Sequence, residues 1–225
     1  MNSKELQIQF EQLIEELVLP LGFEIFLNQD DGEKYYCRAI NNGHERISFI
    51  FGHYGKMLSI KPQIGIYIDD IGDIYKKNSK IKNRPIRCIG NHLLEIERYI
   101  EKGEETERVY VNHRWKVRAV QDLIELAKLY KAYFNNIIDP YFKENGTVAR
   151  VDELLNKEPR VPSIHNNLNP FRACIAIIAA RINENSRFKN LLAIYDESIK
   201  KGEESYQADY QNIRQFLLNE SSNKQ

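Results

Sequence analysis

The sequence predicts an α+β protein, with a four- to five-stranded antiparallel meander packed on helices and an all-helical C-terminal half. Three observations carry that expectation. In residues 57–69, MLSIKPQIGIYID, Leu58, Ile60, Ile64, Ile66 and Ile68 fall on even positions, and Ser59, Lys61, Gln63, Gly65 and Tyr67 on odd ones. A period of two sorts side chains onto the two faces of a strand. Asn42-Gly43 is a strong hairpin signal, because both central positions of a type I′ turn need positive φ. From Trp115 onward, apolar residues recur at three and four, the spacing of helices with one buried stripe.

The first element is a helix: Leu6, Phe10, Leu13, Ile14 and Leu17 form one apolar stripe. Asn2 caps it, with Glu5 three residues on as in a capping box, and Pro20 and Gly22 end it. Strands follow at 23–28, 34–40, 45–51 and 57–69, with a turn at Asp30-Asp31-Gly32. Pro62 has no N–H to donate, which predicts an edge or a bulge there. Residues 71–77 predict a short helix and 78–90 a loop. Asn91 caps a helix over 92–102 that Gly103 ends, and residues 109–111 predict a fifth short strand.

A long helix is expected over 115–139, stopped by Pro140. A shorter one follows over 147–156, then an irregular link at 158–169 containing Pro159 and Pro162. Asn169-Pro170 pairs a cap with proline at the first helical position. The helix over 170–183 contains ACIAIIAA, is apolar most of the way round, and is therefore expected at the centre of its neighbours. Two more helices follow, the first capped by Ser186 and ended by Gly202, the second over 203–218. The organisation read from this pattern is residues 1–157 and a helical lobe at 170–219, packed together as one unit.

Thirty-two basic and thirty-two acidic residues leave a formal net charge of zero. A polyanion therefore has no global attraction to this chain, and nucleic-acid binding needs a local patch. The 42% hydrophobic content is enough for a core. Cys37, Cys88 and Cys174 are few, odd in number and far apart, which suits a reducing cytoplasm rather than a disulfide framework. Glu11, Glu15 and Glu16 interrupt the first apolar repeat, so neither a signal peptide nor a membrane span is expected there.

The sharpest local feature is a basic run. Lys76, Lys77, Lys80, Lys82, Arg84 and Arg87 fall within twelve residues that contain no acid, a pattern suited to an acidic protein surface or to phosphates, and equally to a solvated loop. Lys61 and Tyr67, with Gln63 and Tyr36, suggest a second patch on the polar side of the fourth strand. Thirteen tyrosines, among them Tyr35, Tyr54, Tyr110, Tyr130 and Tyr133, offer amphipathic contact area.

Cys88 and His92 stand four apart, but no second pair completes a tetrahedral zinc site. His44, His53, His113 and His165 form no ligand motif. Asp69, Asp70 and Asp73 follow the fourth strand, where acids favour the start of a helix. No nucleophile elbow, phosphate loop or dinucleotide fingerprint occurs. No catalytic residue, metal ligand or cofactor is expected.

The LGFE box at 21–24, the meander ending in SIKPQIGIYID at 59–69 and the TVARVDELLN box at 147–156 resemble an uncharacterised bacterial domain family. That family has an N-terminal helix, a strand meander and a helical remainder, and some of its relatives are regarded as immunity proteins. The resemblance implies a non-enzymatic role and brings no site residues. The leading expectation is a cytoplasmic bacterial protein-binding module, of immunity or regulatory type, that occludes a protein with an acidic surface. Two alternatives stand beside it. One is a nucleic-acid-associated protein using the basic run at 76–87. The other is an enzyme or small-molecule binder with a pocket between sheet and helices, lined by Asp69, Asp70, Asp73 and His92.

Overall fold

Asn2 opens the first helix as its spacing predicts. Its side-chain oxygen accepts from the N–H groups of Lys4 and Glu5, and the Asn2 N–H donates to the Glu5 carboxylate. In a computed structural model that describes residues 1–27, 33–80, 86–102, 115–168, 170–200 and 204–222, the elements run in this order. Helix α1 (Ser3–Val18) and a 3₁₀ turn precede strands β1 (Glu24–Leu27), β2 (Lys34–Ile40), β3 (Gly43–Tyr54) and β4 (Met57–Ile68). Helices α2 (Asp69–Asn78) and α3 (Leu93–Lys102) come next, then β5 (Trp115–Val117). Helices α4 (Val120–Tyr133), α5 (Asp139–Asn145), α6 (Val148–Asn156), α7 (Phe171–Ile182), α8 (Phe188–Ile199) and α9 (Glu204–Ser222) complete the chain. The five strands form one antiparallel sheet in sequence order, so the protein is α+β with a helical C-terminal half. The turn expected at Asp30-Asp31-Gly32, the helix end at Gly103, the strand at 109–111, the cap at Asn169 and the stop at Gly202 lie outside the described residues.

Contacts divide the chain into two units. The first comprises Met1–Ile40, His44–Gly65 and Asn91–Glu144, the second Asn41–Gly43, Ile66–Gly90 and Asn145–Gln225. The link at 158–169 thus falls inside the second unit.

In the first unit, alternation along β2 and β3 turns Tyr36, Ile47 and Phe49 inward. Phe10 of α1 meets the Phe49 ring edge-on at 5.0 Å, Tyr130 of α4 lies 5.6 Å from it, and Trp115 of β5 packs edge-on to Tyr130. Lys34 of β2 reaches both Glu11 and Glu15 of α1, at 2.9 and 2.8 Å.

Two expectations fail here for identifiable reasons. Trp115 does not begin the long helix. It pairs with Ile60 in β5, and α4 starts at Val120, where the Asp122 carboxylate accepts from the N–H groups of Arg118 and Ala119. Pro140 does not stop the helical run either. Residues Phe134–Ile138 form a π turn, in which the Asp139 N–H reaches the carbonyl of Phe134. The widened turn accommodates a residue that has no N–H for the next α-type bond, and α5 continues through the proline. Pro62 sits just beyond the part of β4 that β5 pairs, residues Leu58 to Ile60. Its missing donor therefore falls where that side of the strand has lost its β5 partner.

In the second unit α7 is central. Every residue from Ala173 to Ala180 is buried, and α7 packs against α2, α6, α8 and α9. Its alanines let those neighbours approach closely. A buried polar cluster fixes α6 against the end of α7. The Asp152 carboxylate accepts from the amides of Asn156, Asn183 and Asn185, at 2.7 to 3.0 Å. Asn156 also donates to the Ala176 carbonyl and accepts from the Tyr195 hydroxyl of α8.

The hairpin at Asn41–Asn42 belongs to this unit. Asn42 keeps a negative φ, so the turn is not type I′. The glycine is needed for another reason: Gly43 has φ +135°, and a Cβ there would fall 1.9 Å from the Tyr67 carbonyl oxygen. The same hairpin accepts the Asp69 N–H at the Asn42 carbonyl, and the Asn42 amide donates to Asp70 at 2.7 Å.

Gly43→Ala is expected to lower the unfolding free energy by at least about 2 kcal/mol in urea melts, since a backbone atom and not a mobile side chain blocks the Cβ. Asp152→Asn keeps the size of the side chain but faces an NH₂ group toward amide donors. A loss of about 2–4 kcal/mol is expected, and a loss under about 0.5 kcal/mol would show that the cluster does not hold α6 to α7.

Candidate functional site

With α1 and α4 against the inner face of the first unit's sheet, the opposite face carries its own row of side chains. Phe26 of β1 and Tyr35 of β2 are cross-strand partners with stacked rings 5.7 Å apart. The Arg46 guanidinium of β3 lies 3.7 Å over the Tyr35 ring. A cation over an aromatic face is held by the ring quadrupole, so the row is an ordered surface feature. Alternation places Ser48, Ile50, Ser59 and Lys61 on the same face, and Lys116 of β5 pairs with Ser59. This face thus carries Arg46, Lys61 and Lys116, with Glu24 at the β1 corner opposite Cys37. At the rim, β1 is an edge strand whose Ile25, Phe26 and Leu27 are all exposed, Leu27 by 63%.

The sequence-predicted site residues are distributed differently. Lys61 lies on this face and is half-buried. Tyr67 is buried, at 8% exposure, and Tyr36 is buried in the core on the inner side. The exposed mixed patch expected around Tyr67 and Tyr36 therefore does not form, and of the other tyrosines Tyr130 is also core. Tyr110 lies outside the described residues, while Tyr54 is exposed.

In the second unit, Lys76 and Lys77 occupy the last turn of α2, where cations complement the helix C-terminus. The Lys77 ammonium lies 5.2 Å over the Phe216 ring. Lys80 is exposed, and its backbone N–H donates to the buried Asp209 carboxylate at 3.2 Å. Lys82 and Arg84 lie outside the described residues. Arg87 sits in a stretch that is not the solvated loop its composition predicts. Ile86, Cys88 and Ile89 are buried, and Ile66 exchanges backbone bonds with Cys88 and Ile89.

The remaining titratable groups are structural in their contacts. Arg38 donates to Glu45 at 2.6 Å and to Asp139 at 2.9 Å, with its guanidinium 4.8 Å over Phe23. Burial pushes the Glu45 carboxyl above its ordinary range, and Arg38 offsets only part of that. For Asp139 burial acts in the same direction, but hydrogen bonds from Lys143 and Arg38 outweigh it and hold the carboxyl low. Asp69, Asp70 and Asp73 are exposed; Asp69 and Asp70 stand in the first turn of α2, where acids complement the helix N-terminus, but the N-cap is Ile68 and no side chain makes a capping bond. His92 meets the Gln63 amide at 3.3 Å.

All three cysteines are buried. Burial pushes the thiols of Cys37 and Cys88 up to about 11 and about 12, and raises that of Cys174. None is a thiolate at neutral pH. Among the described residues no group of three or more His, Cys, Asp and Glu is placed to hold a metal ion, and no helix is long and apolar enough to cross a membrane. His113 lies outside the described residues.

Sequence spacing did not reveal the Phe26–Tyr35–Arg46 row. The signal available was a pair of aromatics on two successive strands, and apolar spacing does not give the register that joins them. No family model, no curated protein and no solved structure matches this chain.

His165, buried in the second unit, supplies a pH test. Burial, then the charges of Arg150 and Arg172, lower its pKa to about 3. Above pH 6.5 it is neutral both folded and unfolded and costs nothing. Between pH 6.5 and pH 3 the unfolded chain takes up a proton that the folded chain does not, so stability falls with acid by up to about 1.4 kcal/mol per pH unit. His165→Gln is expected to flatten that limb of the stability profile, and an unchanged slope from pH 6.5 to 4.5 would contradict the assignment.

Proposed function

We propose that this chain is a non-catalytic protein-binding module whose first unit offers the outer face of its sheet to a protein with an acidic surface. The observation that carries the reading is the Phe26–Tyr35–Arg46 row, flanked by Lys61 and Lys116. Aromatic residues and arginine are enriched at protein interfaces, and here they are pre-ordered by contact with one another, which lowers the entropy cost of binding. The exposed β1 edge adds main-chain donors and acceptors and an apolar rim. The resemblance to a family with immunity proteins among its relatives agrees with such a role, in which the partner is a toxin occluded by complementary charge. The basic stretch of the second unit is a separate candidate contact, and Lys77 and Lys80 are its exposed described members.

Nucleic acid is the competing ligand for a cationic, aromatic face. The zero net charge and the occupation of the Tyr35 ring by Arg46 both argue against base stacking there.

The test uses the purified product of the adjacent gene and titration calorimetry. Combined Arg46→Glu, Lys61→Glu and Lys116→Glu is expected to weaken binding at least tenfold with the melting temperature little changed. Unchanged affinity removes the sheet face from the account. Charge reversal at Lys80, Lys82 and Arg84 then tests the second surface in the same way. Binding to single-stranded RNA instead, with a log-log salt slope of about one unit per phosphate neutralised, would replace the reading.

A further inference from the structure

Among the described residues of the second unit, one buried cation has no anion paired with it. Arg172, in the first turn of α7, is 5% exposed. Three of its N–H groups donate to backbone carbonyls, those of Leu155 at 2.8 Å, Glu158 at 3.3 Å and Val161. A guanidinium carries five N–H donors, and the Nε of Arg172 has no acceptor among the described residues. No carboxylate there forms an ion pair with it. Carbonyl dipoles supply part of the compensation that a buried charge requires, but not a countercharge.

Arg172 also lines a pocket of about 390 Å³, within the size range of small-ligand sites. The walls are apolar where Pro159, Val161, Pro162 and Ile194 stand, and Asn167 and Ser198 add polar edges. At the mouth, Arg160 and Glu197 pair at 3.5 Å and are both largely exposed. Their charges cancel, so the pocket retains the single positive charge of Arg172.

We infer that this pocket binds a small organic carboxylate, its head group on the Arg172 guanidinium and its apolar tail against Pro159, Val161, Pro162 and Ile194. A monoanion matches the one unbalanced charge. A phosphate dianion would leave one negative charge in excess of that single cation. The site is independent of the sheet-face reading, because every residue in it belongs to the second unit.

The experiment adds hexanoate to the full chain and follows the Arg172 Nε–H resonance by NMR, with hexanamide as the uncharged counterpart and inorganic phosphate as the competing anion. A ligand this small is expected to bind with a Kd of roughly millimolar, to shift that resonance on saturation, and to exceed hexanamide in affinity at least tenfold. Ser198→Phe, at a half-buried pocket-lining position on α8, puts a ring into the pocket and is expected to weaken binding at least tenfold while the circular dichroism and melting temperature stay near wild type. The triple charge reversal on the sheet face is expected to leave hexanoate binding unchanged, so failure of either proposal is read separately. Equal binding of hexanamide, tighter binding of phosphate, undiminished binding by Ser198→Phe, or no shift at 20-fold higher hexanoate than the expected Kd would each overturn the assignment.

Discussion

Alternation along β2 and β3 is the constraint on which the first unit depends. One parity of side chains must meet α1 and α4, and that requirement puts Tyr36, Ile47 and Phe49 into a single aromatic core. The other parity is packed less completely, although Cys37 and Ser59 on it are buried. Phe26, Tyr35 and Arg46 occur on it, and their mutual stacking keeps large side chains ordered at a surface. A slip of one residue in register would exchange the two sets, burying Arg46 and exposing Phe49. The same geometry therefore specifies the fold and creates the surface.

The second unit is organised by a different economy of polar groups. Among the described residues Asp152 is satisfied by amides rather than by a cation, and Arg172 is held by carbonyls rather than by a carboxylate, with its Nε left without an acceptor. Each charged side chain joins segments that the backbone alone would not hold together, α6 to the end of α7 in one case and the 155–161 stretch to the start of α7 in the other. Neutral dipoles orient a charge without cancelling it. An amide-ringed carboxylate closed inside the packing is a structural device, whereas a carbonyl-held cation beside a pocket keeps part of its field available.

The local grammar of this chain was legible. Strand β2 matches its expected span of 34–40, and the Asn2–Glu5 box forms as read. Errors arose where three-residue patterns are ambiguous or where partners are distant. Trp115 and Val117 fit either period over so short a span, and only pairing with β4 decides for a strand. Pro140 reads as a terminator because a π turn leaves no mark in apolar spacing. Tyr67 looked exposed because it shares a parity with Lys61 and Gln63, and parity does not say what packs on that side. The stretch at 86–89 was obscured by the basic residues around it, although Ile86, Cys88 and Ile89 are its buried members. Of the candidate sites, Lys61 was legible, but Arg46 and Arg172 were not. Arg46 acquires its role through strand register, and Arg172 through carbonyls 11 to 17 positions away in the chain.

The exposure of β1 has its own consequence. A bare strand rim with greasy side chains is the usual seed of runaway polymerisation, since every added chain presents the next one with a fresh rim. Along its described residues that rim sets Ile25, Phe26 and Leu27 side by side in the open, so a single charge placed among them would guard against casual self-adhesion.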